Sequence, residues 1–534
     1  MKKIFFLVFL AISFLSCRKE KTYWDADIVA PVATSSLSLS NLFPDTLLEA
    51  NSGGQLSINF EAELFRLAAD TLLELPDTSF KNVFGPVMFQ GGYFNYQPGQ
   101  TLYSSANNLV SFQIANGIKL KEAVIRSGKV HLEVRNPLRQ PTEFICSVGS
   151  AELNGVPLLI SLTVPAGTQA SPAYRDTFVT VDNYHVDFSG NDGTKTNTIS
   201  QSLIFKIAPN AVTDTLKYGD TLKSLITFVD LIPDYGRGYF GNQTLTLGPD
   251  TAIFDVFNQI SSGSLGLDSA NIQVQMQNEF GVDLRSNLTA VQSISPINAS
   301  VNLTGSNIGT SFNVGRAIAT GNPASPVTPY NKTIAFTNTN SNINQFIGNL
   351  PNSISYALSS QINPLGNISG YNDFVYYGTN FKADLKAHVP LRFSANNIVL
   401  RDTTEFNVSA LSEEIDKVNE GKLILKATNS YPFSLAVTGI LLDENNQPIE
   451  PLISAPNNLV NAPVVNASNV VVAPQETIIE IYFDKGKFES IKKARKIAYY
   501  ITFNTTNQPN AVAFLNWYKL DLLLTADFNY SVNK

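Results

Sequence analysis

Apolar and polar side chains alternate along most of this chain, and one stretch does so three times with the same punctuation. Residues 128–136 read GKVHLEVRN, residues 421–429 read GKLILKATN, and residues 270–278 read ANIQVQMQN. In each, a small residue opens, apolar side chains take the second, fourth and sixth following positions, and an Asn closes at the eighth. Period two gives one buried and one solvated face, so each stretch is expected to be a half-buried strand. A closing Asn suits a strand end, where its short side chain bonds nearby backbone. A Phe stands fifteen or sixteen residues ahead of each copy: Phe112, Phe254 and Phe406, the last two within Asp-Thr-x-x-Phe. The pattern predicts three diverged copies of one β unit.

The same alternation continues elsewhere. Residues 56–64, 381–393 and 518–532 each keep it for nine or more positions. At about 3.3 Å per residue the last two would be roughly 40–50 Å long, which favours elongated, twisted sheets. Pro390 lies inside one of them and argues for a sheet edge or a bulge there. Glycine and aromatic residues at 91–94 (GGYF) and 236–241 (GRGYFG) read as tight turns or bulges. Helix is expected only at 342–350, ahead of Pro351, and at 487–494, with Phe488 and Ile491 inward. Each would precede a closing strand, at 354–358 and 497–501; the strand at 203–207 holds the matching place without a helix.

Composition narrows the picture. Of 534 residues, 15% are charged and 10% aromatic, and the net charge is −7. There is ample material for a core, little like-charge repulsion and no broad basic stretch, so neither disorder nor nucleic-acid binding is expected. The length accommodates three units of about 150–170 residues. Of two cysteines, Cys146 alternates within a strand-like run and reads as a small buried hydrophobe.

The other, Cys17, belongs to the amino-terminal segment. Lys2-Lys3 and the apolar run at 4–15 have the layout of an export signal. Ser16-Cys17 after Phe14-Leu15 resembles a bacterial lipobox, which implies that Cys17 becomes the lipid-modified first residue. Phe14 departs from the usual Leu. The basic run Arg18-Lys19-Glu20-Lys21 differs from the acidic run that commonly marks surface lipoproteins of the Bacteroidota, so either face of the membrane is left open. Residues 25–40, containing Ser, Ala and Pro, read as a tether, with Tyr23 and Trp24 near the membrane.

Other resemblances are local. Val134-Arg-Asn-Pro137 with Phe144 downstream, and more loosely Asn429-Ser-Tyr-Pro-Phe433, resemble the core motif of WHy-type (water-stress/LEA-like) β-sandwiches, over some thirty residues per copy. That implies an immunoglobulin-like sandwich without enzymatic activity. Trp24-Asp25-Ala-Asp-Ile28 followed by Pro31-Val32 resembles a group of large, uncharacterised Bacteroidota outer-membrane lipoproteins. The Asp-(Ser/Thr)-(small or aliphatic) pattern resembles the periplasmic O-glycosylation acceptor of that phylum, which nominates Thr46, Thr71, Thr215, Thr221, Thr251, Ser269 and Thr403. Asp-Thr is equally good turn chemistry.

Catalytic chemistry has little to stand on. His131 and His388 fall at outward strand positions. Asp182, His185 and Asp187 form a conceivable metal or acid–base group, though a polar loop explains them as well. The sequence has no nucleophile elbow, zinc-protease helix, Walker loop or dinucleotide fingerprint. Glu413-Glu414 cannot be judged as a glycosidase pair from sequence, and Asp443–Gln447 lacks the Gly and Glu of a calcium loop and reads as a turn. Residues 492–496 (KKARK) are the one basic cluster, a solvated helix face or a contact for anionic lipid.

The expected protein is mainly β: signal 1–16, lipidated Cys and tether 17–40, and three β-sandwich-like units at 41–215, 216–370 and 371–534. Its expected role is structural or partner-binding at the outer membrane, with Cys17 as the membrane attachment and other outer-membrane proteins as partners. No catalytic residue, metal or cofactor is assigned. Two alternatives are a carrier enclosing lipid or another apolar ligand in a β groove, and a glycan-binding accessory protein.

Overall fold

All three alternating stretches are strands that bury their apolar positions. Val130, Leu132 and Val134 are inward in Lys119–Asn136, Ile272, Val274 and Met276 in Asn271–Asn278, and Leu423, Leu425 and Ala427 in Val418–Asn429. The structure, a computed structural model, describes residues 23–86, 90–407, 418–483, 485–505 and 511–533. The chain is mainly β with antiparallel strand pairs, and two α-helices, Ile343–Gly348 and Lys485–Lys493, stand among the described residues.

The surroundings of the three Asn strands correspond. On one side each pairs with a strand further along its own unit, Ala173–Thr180, Tyr330–Thr337 or Gln475–Phe483. On the other side lies a later one, Leu222–Tyr239, Asn380–Pro390 or Lys519–Asn533. A second sheet faces each, built on the pairs Thr142–Leu153 with Thr198–Ile207, Leu284–Ile294 with Ser353–Ile362, and Leu435–Leu442 with Lys496–Phe503. Its outer strands are Thr101–Ser111, Thr244–Ile253 and Ile398–Glu405. In the first unit the short strand His185–Asp187 bonds to both sheets and joins them.

The leading Phe residues directly follow those outer strands. Phe112, Phe254 and Phe406 are buried, and their amides donate to the carbonyls of Asn197, Asn352 and Arg495 at 2.7–2.9 Å. Each acceptor immediately precedes the closing strand of its unit. The two helices sit just ahead of the second and third closing strands, burying Phe346 and Ile347 in one case and Phe488 and Ile491 in the other.

The closing Asn residues make one set of bonds three times. Asn136 Nδ2 donates to the carbonyls of Gln140 and Pro165, both at 2.8 Å, and its Oδ1 accepts the Leu138 amide at 2.9 Å. Asn278 does the same with Val282 (3.0 Å), Gly315 (2.8 Å) and the Phe280 amide (3.0 Å). Asn429 repeats it with Phe433 (2.9 Å), Asn461 (2.9 Å) and the Tyr431 amide (2.8 Å). All three side chains are fully buried. A buried amide with both protons and its oxygen paired closes the turn after the strand and ties it to a distant loop.

The amino-terminal segment supplies a further strand to every unit, in reverse order. Tyr23–Ser38 pairs with Lys519–Asn533 of the third, Leu56–Ala68 with Asn380–Pro390 of the second, and Thr78–Phe84 with Leu222–Tyr239 of the first. Residues 25–40, expected as a tether, are therefore largely a strand paired along its length, with a register shift at Pro31/Ala33 that accommodates the proline on an edge. The unit boundaries shift accordingly. Residues 56–68 belong to the second unit and 222–239 to the first. The run at 381–393 is broken after Pro390, and Arg392–Asn396 joins a different sheet. The strand carrying Pro390 is central rather than an edge; it tolerates the proline by ending there, two residues past its last pair with Asn271.

The units join head to tail. At the Asn end of the second, Asp373–Tyr376 pairs with residues 235–238, the far end of the first unit's long strand. At the Asn end of the third, Val512–Ala513 pairs with Arg392 and Phe393 of the second, and the rings of Phe393 and Phe514 stack at 4.2 Å. At the Asn end of the first, the corresponding strand Asp214–Lys217 pairs with Tyr93–Tyr96 of the amino-terminal segment instead.

Replacing Asn136, Asn278 or Asn429 by Ala is expected to cost about 2–4 kcal/mol, because three buried backbone groups lose their partners. Hydrogen exchange followed by mass spectrometry should show the loss of protection concentrated in the unit that carries the substitution. A change below about 0.5 kcal/mol, the range of ordinary surface substitutions, would contradict this role.

Candidate functional site

The Asn end of the first unit differs from the other two in that, among the described residues, no neighbouring unit covers it. The second unit's corner is filled by Phe374, whose carbonyl accepts the Gly281 amide at 2.8 Å and whose ring leaves no room for a side chain at Gly281. The third unit's corner is filled by Tyr431, which donates to the Leu37 carbonyl at 3.3 Å and packs among Phe503, Phe514 and Tyr518. Beside Asn136 the turn Pro137-Leu138-Arg139 instead borders a groove of about 780 Å³.

The groove is framed by the ribbon of Tyr93–Tyr96 and Asp214–Lys217. Alternation orients the ribbon. Tyr96 is buried, and burial, reinforced by the nearby Asp214 carboxylate, pushes its phenol up to about 12. Tyr93 points out and is 72% exposed. The chain then turns through Tyr218-Gly219-Asp220, with Gly219 at φ +91°, a conformation that side chains rarely adopt. Asp220 is buried by this turn: one carboxylate oxygen accepts the Lys217 amide at 2.7 Å, the other the Gln169 amide group at 2.8 Å. Gln169 also donates to the Tyr218 carbonyl at 3.0 Å, and the Tyr218 amide donates to Gly92 at 3.2 Å. Tyr218 is 51% exposed. Arg139 reaches Asp214 at 3.2 Å. The groove thus presents two outward phenol rings over planar polar groups held in fixed positions.

No family model and no curated protein matches this chain. Among solved structures, a secreted-protein candidate from Parabacteroides distasonis ATCC 8503 is similar at a TM-score of 0.30 and 15% identity, over 55% of this chain and 87% of its own. Overlap of that extent says nothing about what the chain binds.

The residues singled out from sequence are dispersed. Asp182 accepts the Gly128 amide and Asp187 the Ser189 amide, so both serve local backbone, and His185 faces Glu122 at 3.8 Å. That trio is not brought together as a site. His131 stacks on Phe178 with ring centroids 4.0 Å apart and bonds Asp176 at 3.1 Å, while His388 bonds Asn59 at 2.7 Å, both on outward faces. Among the described residues no group of three or more His, Cys, Asp or Glu side chains is arranged to hold a metal. Cys146 is fully buried, and burial pushes its thiol up to about 12. Asp443 accepts the amides of Asn445 and Gln447 in a turn. In the basic cluster Lys492 bonds Glu489, and Arg495 donates to the carbonyls of Lys492 and Ala494 at the helix end. Of the glycosylation candidates, Thr46, Thr71, Thr251 and Thr403 are exposed, whereas Thr215, Thr221 and Ser269 are half-buried. Cys17 and Glu413-Glu414 lie outside the described residues.

Sequence reading treated residues 91–94 as punctuation and missed Arg139 and Gln169 altogether. Among the glycosylation candidates, Thr215 and the Asp220 ahead of Thr221 line the groove. Changing Gln169 to Ala removes the clamp on Asp220 and Tyr218. Amide exchange at Lys217 is expected to speed up by about tenfold, with the melting temperature within about 2 °C of the parent because the residue is exposed. Unchanged exchange would show that the turn holds itself.

Proposed function

We propose that the protein is a non-catalytic, lipid-anchored envelope protein of the outer membrane with a structural or partner-binding role, its partners including other outer-membrane proteins. The observation that carries this reading is the position of the strand Tyr23–Ser38. It begins six residues after Cys17, so acyl chains on that cysteine would hold the third unit within about 20 Å of the bilayer. The head-to-tail joints then run outward through the second unit to the first, whose uncovered corner is the end furthest along the stack from the anchor. A partner approaching from the aqueous side meets that corner first.

Binding at the surface is favoured over carriage inside a sheet pair. In the second unit the void between the sheets, lined by Ile272, Val274, Leu288 and Phe346 among others, is about 10 Å³. That is no more than a single water probe and far below the size of ligand pockets. The polar residues that recur in all three units are consumed by backbone bonds, which leaves recognition to features the units do not share.

Feeding cells an alkynyl fatty acid is expected to label the wild-type protein and leave Cys17→Ser unlabelled and outside the membrane fraction. An unlabelled wild type, or a variant that still partitions with the outer membrane, would overturn the anchor.

A further inference from the structure

We infer that the groove at the free corner of the first unit binds an uncharged carbohydrate chain. The inference rests on the reading above only in taking this corner as the end presented to ligands.

Three observations lead to this class of ligand. The first is the pair of rings. Tyr93 and Tyr218 both line the groove, their backbones held close by the Tyr218 amide bond to the Gly92 carbonyl and by the pairing of Tyr93 with Lys217, and both stay more than half exposed. An aromatic face kept in water beside a concavity gains by covering with an apolar surface that still carries polar groups at its rim, which is what a sugar ring offers. Elsewhere in the same ribbon Tyr96 is buried to pack the fold, so the outward rings are not needed for stability.

The second is the polar lining. The Gln169 amide, the Asp220 carboxylate and the Arg139 guanidinium are planar groups, two of them fixed by bonds to each other and to the turn. Both Gln169 amide protons are spent on Asp220 and Tyr218, so its Oε1 and the outer N–H groups of Arg139 are the acceptor and donors that suit adjacent hydroxyls. The Thr215 hydroxyl and Lys217 extend that lining along the strand.

The third is charge. Arg139 is paired with Asp214, and the other two charged residues of the lining, Lys217 and Asp220, are opposite in sign. Two cations against two carboxylates leave no net field, so a phosphate, a nucleic acid or an acidic polysaccharide has no electrostatic reason to prefer the groove. A neutral ligand with apolar faces and hydroxyl edges is the class that fits. The groove is open to solvent along the ribbon, so a chain can run past both rings rather than end inside.

Saturation-transfer NMR on the mature full-length chain in detergent tests this with gluco-, manno-, xylo- and galacto-configured neutral hexasaccharides and an oligogalacturonate. At least one neutral hexasaccharide is expected to receive saturation at its ring protons, and the Tyr93→Ala/Tyr218→Ala variant to bind it at least tenfold more weakly. That variant should keep its melting temperature, since both rings are exposed; Tyr482→Ala, which removes an exposed ring of the third unit away from the groove, provides a second folded control with binding retained within about threefold. The inference is overturned if no neutral hexasaccharide receives saturation, if only oligogalacturonate does, or if the double variant binds as tightly as the parent. Failure of acyl labelling at Cys17 would remove the anchor and leave this result standing; loss of binding with labelling intact would remove the groove's ligand alone.

Discussion

The architecture depends on one constraint: the first sixty or so described residues are shared out as strands among all three units, in reverse order. Tyr23–Ser38 completes the third unit against the chain's last strand, and Thr78–Phe84 completes the first. Pairs such as Ser36 with Asp521 join residues 485 positions apart, so the third unit cannot be completed until the carboxy-terminal strand exists. The chain is therefore closed from its two ends inward, and no unit is a contiguous piece of sequence. The same arrangement fixes the order of the stack and, among the described residues, leaves one Asn end without a neighbouring unit.

Within each unit the buried Asn does for the corner what the added strand does for the whole. Its three bonds bind strand end, turn and a loop 29 to 37 residues downstream into one body. Because Asn136, Asn278 and Asn429 spend every polar atom on backbone, they are scaffold. The residue two places later decides what happens at each corner. Phe280, Tyr431 and Leu138 are all buried, and Leu138 differs in lying beneath an open groove. The outward faces of the three Asn strands also diverge, from His131, Glu133 and Arg135 to Gln273, Gln275 and Gln277 and then Ile424, Lys426 and Thr428.

Much of this was legible in the sequence, for a physical reason. Period-two burial and a strand-ending Asn leave local traces, so the strands, the leading Phe residues and the two short helices could be read directly. Pairing partners leave no such trace. Pro31 and the serines at 35, 36 and 38 make Tyr23–Ser38 look like a linker, yet Val32, Ala33 and Leu37 are buried in the third unit. The groove was invisible because it is assembled from residues 91–93, 137–139, 168–169 and 215–220, each unremarkable alone. Asp182, His185 and Asp187 show the converse, since proximity in sequence gave them an apparent chemistry that local backbone bonds take up.

The reverse-order threading can be tested directly by engineered disulfides at three facing pairs, Ser36 with Asp521, Asn59 with His388, and Ser79 with Thr227. Facing residues in antiparallel strands lie about 4.5–5.5 Å apart at Cα, within disulfide reach. With cysteines at all six positions, mass spectrometry of the oxidised protein should find these three bridges together in one molecule. Bridges joining Ser36 to Thr227 or Ser79 to Asp521 instead would contradict the threading, and with it the order of the units.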